Sequence, residues 1–163
     1  MSMTPTAATD RTAGPSAAAV GAHMFAADRA SRGLGIRIVA LGEGTARLEM
    51  IVRDDMLNGH DICHGGFITT LADSAFAFAC NSRNQLTVAA GLTVDFLAPV
   101  KGGEILTADA SEVTLRGRTG VYDIVVTNQD GARVAIVRGR SAALRGRTVM
   151  PAAPIGDEKE PAR

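Results

Sequence analysis

The segment CHGGFITTLADSAFAFAC, residues 63–80, constrains the fold more than any other part of this 163-residue chain. It predicts one long helix over about residues 65–82, apolar on almost every side, and such a helix must be enclosed by other elements. Two features are unusual in it. The helix opens on Gly65 and Gly66, which are poor helix formers, and it carries the carboxylate of Asp73 into an apolar segment.

Strand-like segments surround this helix in the sequence. Four follow it, at about 86–98, 103–115, 119–128 and 133–144, and two precede it on either side of a Gly-Glu-Gly turn. The connections between the last four are too short for crossover helices, so these strands pair antiparallel. An antiparallel sheet usually buries one face, and only one helix here is apolar enough to fill it. The sequence therefore predicts an α+β fold with about six strands wrapped round the helix.

Low-complexity ends frame a single domain. Residues 1–15 and 147–163 are expected to be disordered tails, which leaves one domain over residues 16–146 that begins with a short helix at about 15–32. Zero formal net charge gives the chain no drive toward nucleic acid or anionic membrane. No apolar run reaches membrane-spanning length, and the N-terminal stretch is not a secretory signal.

These bounds predict a cytoplasmic protein without a metal site. Cys63 and Cys80 are the only cysteines and are expected to be reduced thiols. They do not form a CxxC pair, and the three histidines are too scattered to complete a set of metal ligands.

One face of the predicted helix is small or polar. Gly66, Thr70, Asp73 and Ala77 share it, and such a face suits a cavity or the close approach of another chain. The glycines could leave the first N–H groups open to a carbonyl oxygen, as an oxyanion hole, or could simply permit a tight entry into the helix. Asp73 could act as general base or nucleophile, or be a hydrogen-bonded structural acid.

Gly65 and Asp73 lie too far apart on one helix to serve one carbonyl group. At about 1.5 Å of rise per residue they are separated by roughly 12 Å, whereas both must come within about 3 Å of the reacting group. Two antiparallel copies of the helix would place each Asp73 beside the other chain's Gly65. If both residues are catalytic, the sequence predicts a two-fold dimer with shared active sites.

The segments MLNGHDICHGGFITTLADSAFAFACNS, TVDFLAP, RGRTGVYDI and VRGRS resemble the PaaI-type thioesterases of phenylacetate degradation, in the hotdog-fold acyl-CoA thioesterase superfamily. The resemblance covers about residues 19–145. It implies a hotdog fold, hydrolysis of an acyl-CoA thioester without metal or cofactor, and homodimers that join sheets edge to edge and can pair into homotetramers. The implied substrate is phenylacetyl-CoA or hydroxyphenylacetyl-CoA. The alternatives are other aryl or medium-chain acyl-CoAs, or a non-catalytic acyl-CoA-binding protein.

The resemblance also implies roles for individual residues. By motif match, Asp73 is the catalytic carboxylate and the backbone N–H of Gly65 polarises the thioester carbonyl. Asn58 and His64 would orient the thioester or the attacking water. Whether Asp73 attacks the acyl carbon or activates water stays open.

A hydroxyl group that positions water in some relatives has no obvious counterpart here. Those relatives carry Ser or Thr on the strand after the helix, where this chain has Ala-Ala-Gly at residues 89–91. Thr70 or Thr87 would have to substitute.

Coenzyme A is expected at the RGRTG turn, by the same resemblance. Arginines pair with phosphate, and glycines let phosphate reach backbone N–H groups. Residues 116–147 contain seven arginines and two acids, so this region is basic in a chain of zero net charge, although a solvated basic face is the alternative. The expected contacts are Arg116, Gly117, Arg118, Thr119, Gly91, Arg138 and Arg140.

Overall fold

The structure, a computed structural model, describes residues 14–151. Its elements are α1 (Ala17–Ala27), α2 (Arg29–Gly33), β1 (Arg37–Gly42), β2 (Thr45–Ile51), a 3-10 turn (Asp54–Met56), α3 (Gly65–Asn81), β3 (Gln85–Phe96), β4 (Ile105–Arg116), β5 (Thr119–Thr127) and β6 (Arg133–Thr148). One antiparallel sheet, in the order β1-β2-β4-β5-β6-β3, packs round α3. The predicted six strands round one long helix are confirmed.

The core is centred on α3, which contacts all six strands. Leu71 and Phe76 are fully buried on its sheet-facing side. A Cβ at Gly139 of β6 would lie 3.0 Å from the Phe76 ring, so glycine allows the strand to approach the helix this closely. Tyr122 packs its ring on Phe76 and donates its hydroxyl to Glu112 at 3.0 Å. Burial and this bond raise the pKa of Tyr122.

The single helix expected at residues 15–32 is instead two helices, α1 and α2. Ser16 caps α1 by accepting a hydrogen bond from the Ala19 N–H at 3.2 Å. The chain then turns extended at Asp28, whose carboxylate accepts the Ser31 N–H at 2.9 Å and so starts α2. The break follows from this second cap, because an aspartate side chain can satisfy a helix N-terminus from outside the helix.

The ordered domain extends past the predicted boundary at residue 146. β6 runs to Thr148, and hydrogen bonds hold the chain against the start of β3 as far as Met150. The remaining parts of the two predicted tails, residues 1–13 and 152–163, lie outside the described residues.

β3 is an edge strand that pairs only with β6 within the described chain. Its register with β6 skips Ala90, which leaves a bulge near its middle. Val88 and Phe96 on this strand are 45% and 54% exposed. An exposed edge with apolar side chains is a surface on which another strand can pair.

No helix among residues 14–151 is long and apolar enough to cross a membrane.

Candidate active site

The N-terminus of α3 leaves one backbone donor open. His64 caps the helix, because its Nδ1 accepts the Gly66 N–H at 3.0 Å and its carbonyl accepts the Phe67 N–H at 2.9 Å. Within the described chain, nothing accepts a hydrogen bond from the Gly65 N–H. A neutral imidazole that accepts at Nδ1 carries its proton on Nε2, so His64 also keeps a donor that points away from the cap.

Asn58 lies beside this open donor. Its loop folds back through a backbone bond from Asn58 to the Ile62 carbonyl at 2.8 Å, and its Oδ1 accepts the His60 N–H at 2.9 Å. The Nδ2 group has no acceptor in the part of the chain that the structure describes. Asn58 and Gly65 line one groove, so the amide and the backbone N–H can both donate to a ligand there.

This groove has a volume of about 440 Å³ and a mainly apolar lining. The ring of Phe96 covers one side, so close to Gly65 that a Cβ on that glycine would lie 2.6 Å from Phe96 Cζ. No pattern in the sequence predicts this contact, which joins the end of β3 to the start of α3. The full lining is Asn58, Ile62, Cys63, Gly65, Ile68, Phe96, Leu97, Ala98, Pro99 and Val100.

Asp73 lies half-buried on the side of α3 that the sheet does not cover. Gly66, Thr70 and Ala77 share this side and are all at least partly exposed, as predicted for the small and polar face. Its carboxylate accepts no hydrogen bond from any described residue, and burial raises its pKa. A carboxylate without donors is a stronger base and nucleophile than a hydrogen-bonded one, because nothing stabilises its charge. The described residues therefore provide no hydrogen bond of the kind that a structural role for Asp73 would require.

Neither threonine considered as a water-positioning group offers a free hydroxyl proton. Thr70 donates to the Gly66 carbonyl and Thr87 donates to the Gln85 carbonyl, both at 2.8 Å. Each hydroxyl can still accept a hydrogen bond through its lone pairs.

The N-terminal helices attach to α3 next to Asp73. The hydroxyl groups of Ser31 and Ser74 are 2.9 Å apart, and Ser31 also donates to the Asp28 carboxylate at 2.5 Å. This connection fixes the residue that follows Asp73, and Ser31 is buried. The sequence does not predict this contact, because the two serines are 43 residues apart in the chain and no local pattern links them.

The expected coenzyme A turn is a tight hairpin between β4 and β5. Arg116 pairs with Thr119, and Gly117 adopts a left-handed φ of 60° in the turn. Arg116 and Arg118 are exposed, and neither has a carboxylate partner among residues 14–151. Both guanidinium groups can therefore bind an external anion.

The two expected arginines on β6 differ from each other. Arg138 binds both carboxylate oxygens of Asp123, at 2.7 and 2.8 Å, and its guanidinium lowers the pKa of that carboxyl group. Arg140 has no such partner in the described chain, and its guanidinium lies over Gly91, 3.0 Å from where a Cβ would be. Arg140 is thus open to an anionic ligand, whereas Arg138 is already neutralised.

The hairpin and Gly65 lie at opposite ends of α3. Just past the C-terminal end of the helix, Ser82 accepts the Gly44 N–H, and the Gly44 carbonyl accepts the Glu112 N–H, both at 2.8 Å. The hairpin follows Glu112 along β4. Gly65 opens the other end of the helix. A single chain therefore keeps the proposed phosphate contacts and the open N–H well apart.

Comparison with known proteins fits this geometry. The thioesterase superfamily profile matches residues 60–135. The acyl-coenzyme A thioesterase PaaI of Escherichia coli (strain K12) is 46% identical over 123 residues, which cover 76% of this chain and 88% of that protein. The chain belongs to the thioesterase superfamily. Its fold is the hotdog fold, and it is a thioester hydrolase.

Two solved structures share this fold. The structure of E. coli PaaI, from the phenylacetic acid degradation operon, has a TM-score of 0.79 and 44% identity, and covers 81% of this chain and 95% of that one. The smu.793 protein of Streptococcus mutans UA159, solved bound to acetyl-CoA, has a TM-score of 0.67 and 27% identity, with coverage of 69% and 91%.

In this thioesterase the expected site residues form two groups. Gly65, His64 and Asn58 gather at the start of α3, while Asp73 lies further along the helix towards the hairpin. Residues 14–151 contain no group of three or more His, Cys, Asp or Glu side chains placed to hold a metal ion.

Proposed function

We propose that the chain hydrolyses acyl-CoA thioesters at a site shared by two copies, in which Asp73 of one chain faces the Gly65 N–H of the other. The observation that carries this proposal is that the Gly65 N–H and the Asp73 carboxylate, both on α3, have no hydrogen-bond partner among residues 14–151. They are also roughly 12 Å apart along the helix. A carbonyl carbon bound at one group is out of reach of the other, unless a second chain supplies it.

The edge of β3 supports a two-fold arrangement. Strands from two copies that pair antiparallel along this edge would extend the sheet and bring the uncovered faces of the two α3 helices together. The exposed Val88 and the glycine and alanines of residues 89–91 allow such an approach. The proposed assembly is a homodimer, with a homotetramer formed by two dimers as its possible extension.

The proposed chemistry uses only groups of the protein and water. The N–H of Gly65 and the amide of Asn58 donate to the thioester oxygen and stabilise its charge as the tetrahedral intermediate forms. On one route Asp73 of the other chain removes a proton from water, whose oxygen bonds to the acyl carbon, and the carbon–sulfur bond then breaks to give the free acid. On the other route the Asp73 carboxylate bonds to the acyl carbon, the carbon–sulfur bond breaks to leave a mixed anhydride, and water then hydrolyses that anhydride. On both routes the coenzyme A thiolate takes up a proton. His64 orients the thioester or the water through Nε2.

Coenzyme A is proposed to bind at the hairpin of the chain that supplies Asp73, because Asp73 is nearer than Gly65 to the end of α3 beside which the hairpin lies. Arg116 and Arg118 would hold phosphate, with the Gly117–Thr119 turn giving backbone contacts. Arg140 above Gly91 is a further contact, and Arg138 contributes less because Asp123 occupies it.

The acyl group is proposed to be phenylacetyl or hydroxyphenylacetyl, in phenylacetate catabolism. The relative PaaI supports this choice, and so does the apolar groove beside Gly65, where Phe96 offers an aromatic wall. Other aryl or medium-chain acyl groups fit the same apolar lining. We propose a cytoplasmic location, which suits the two free, buried cysteines.

A panel of acyl-CoAs assayed by release of free thiol tests this function. The wild-type chain should cleave phenylacetyl-CoA best, and Asp73→Asn should reduce kcat at least about 100-fold, the scale of a general base. Asp130→Asn is the matched control, since Asp130 is an exposed carboxylate in the turn between β5 and β6, and it should keep its activity. If no acyl-CoA is cleaved, the proposed substrate class is wrong. If Asp73→Asn stays active, the catalytic assignment is wrong.

A further inference from the structure

The asparagines of the described chain differ in how firmly their side-chain amides are held. In Asn81, Asn84 and Asn128 the side-chain oxygen accepts a hydrogen bond and the side-chain nitrogen donates one, all with described residues. Asn58 differs, because its Oδ1 accepts the His60 N–H at 2.9 Å whereas its Nδ2 has no acceptor within residues 14–151. No described residue therefore retains the amide nitrogen of Asn58.

Asn58 is also the only asparagine that glycine follows in the sequence. The fold does not require glycine at this position, because the φ of Gly59 lies outside the left-handed region and a Cβ on it would meet nothing within 4 Å. Gly59 is exposed, and its N–H has no acceptor in the described part of the chain. An unhindered backbone nitrogen thus follows directly on an amide whose own nitrogen is free to leave.

The turn at Asn58 folds its side chain over the Gly59 peptide group. The Asp61 N–H donates to the Asn58 backbone carbonyl at 3.0 Å, which closes a β-turn with Gly59 and His60 at its centre. The bond from the His60 N–H to Asn58 Oδ1 adds an Asx turn. This bond polarises the side-chain carbonyl and would stabilise negative charge on its oxygen if the Gly59 nitrogen added to it.

We propose that Asn58 is a site of spontaneous deamidation, which converts an amide of the active site into a carboxylate. Asparagine is one of the heat-labile residue types. The Gly59 nitrogen loses its proton to hydroxide and bonds to Asn58 Cγ. The bond from Cγ to Nδ2 then breaks, and the side-chain nitrogen takes up a proton from water and leaves as ammonia. Water opens the cyclic imide at either carbonyl, which gives aspartate or isoaspartate.

The effect on activity rests on the proposed function, in which Asn58 donates from Nδ2 to the thioester oxygen beside the Gly65 N–H. An aspartate at this position is ionised at neutral pH. It therefore has no proton to donate, and its negative charge lies where negative charge develops in the reaction. Each converted site should lose at least about 100-fold in kcat, the scale of one oxyanion-hole donor. Activity would then decline as the protein ages, while the fold persists.

Ageing of the purified chain at mildly alkaline pH tests the inference. Peptide mass mapping follows the conversion of each asparagine, and thiol release from the acyl-CoA that the chain cleaves best follows kcat in the same samples. Residue 58 should convert first, and faster as the pH rises, because the attacking nitrogen must lose a proton. The fraction of kcat lost should equal the fraction of residue 58 converted, and thermal unfolding should show that the aged chain is still folded.

Gly59→Ala is the matched control. The added Cβ crowds the attacking nitrogen and restricts a backbone that glycine leaves free, while no described residue opposes it. This variant should begin with the kcat and the unfolding temperature of the wild type, and it should keep its kcat during ageing. Asn58→Asp supplies one product of the reaction directly, so its kcat should lie at least about 100-fold below the wild-type value from the start.

The outcomes separate the two levels of the argument. If residue 58 keeps its amide while the other three asparagines convert, or if Gly59→Ala converts as fast as the wild type, the deamidation site is wrong. If residue 58 converts and kcat does not fall with it, the claim that conversion inactivates the enzyme is wrong. If the fresh wild-type chain cleaves no acyl-CoA, the proposed function fails instead, and the mass map still decides whether Asn58 deamidates.

Discussion

Replacing Gly65 with proline removes the backbone N–H group that is proposed to polarise the thioester carbonyl. Gly65 is the first residue of α3, where proline is favoured because its missing N–H has no partner inside the helix. The preceding residue, His64, already has the extended backbone that proline requires of its neighbour, with φ −63° and ψ 129°. We expect kcat for acyl-CoA hydrolysis to fall about 10²–10³-fold, about 2.7–4 kcal/mol, as when one oxyanion-hole donor is removed.

The proline ring also adds a Cβ, which needs its own control. That atom would lie 2.6 Å from Phe96 Cζ, and Gly65→Ala adds the same atom while keeping the N–H. Phe96 is 54% exposed and can turn away, so the alanine variant should lose about 1 kcal/mol of stability, the low end for overpacking. Its kcat should fall much less than the kcat of the proline variant. Thiol release gives kcat, and thermal unfolding gives stability. Equal losses of kcat in both variants, or full activity in the proline variant, would refute the role of this N–H.

Three other substitutions test the account at separate points. Asp73→Asn should raise the melting temperature at neutral pH, because burial raises the pKa of Asp73 and its ionised form destabilises the fold. The gain should vanish below about pH 4, where the carboxyl is protonated in both states, and a gain independent of pH would contradict this reasoning. Gly139→Ala places a Cβ 3.0 Å from three atoms of the buried Phe76 ring. The free energy of unfolding measured in urea should fall by about 1–3 kcal/mol. An unchanged midpoint would show that the core can adjust. Ala90→Pro removes an N–H at the bulge of the β3 edge, where proline is tolerated. Light scattering should then show monomers, and the circular dichroism spectrum should be unchanged. Persistence of the wild-type oligomer would place the interface elsewhere.

The helix and the sheet could be predicted because local signals agreed with the global fold. The apolar segment that begins at Gly65 could not be stable without cover, and short turns such as Asp130-Gly131 allowed only antiparallel pairing. The spacing of Gly65 and Asp73 required no tertiary information, since helix geometry alone sets it. These features depend on residues close in sequence.

The remaining features depend on contacts between distant residues. The break at Asp28 depends on its cap of α2 and on the Ser31–Ser74 contact, and a propensity pattern cannot reveal either. The domain continues beyond residue 146 because Asn84 binds Met150, although the local composition of that segment is typical of a tail. The contact of Phe96 with Gly65 likewise depends on where β3 ends.

Mixing two inactive variants tests the shared active site most directly. Asp73→Asn and Gly65→Pro chains should each be nearly inactive alone. After subunit exchange, random pairing makes half of the dimers heterodimers, each with one intact site, so thiol release should return to about a quarter of the wild-type rate. Labelled subunits should confirm that exchange has occurred. If heterodimers form and no activity returns, Asp73 and Gly65 do not act across two chains.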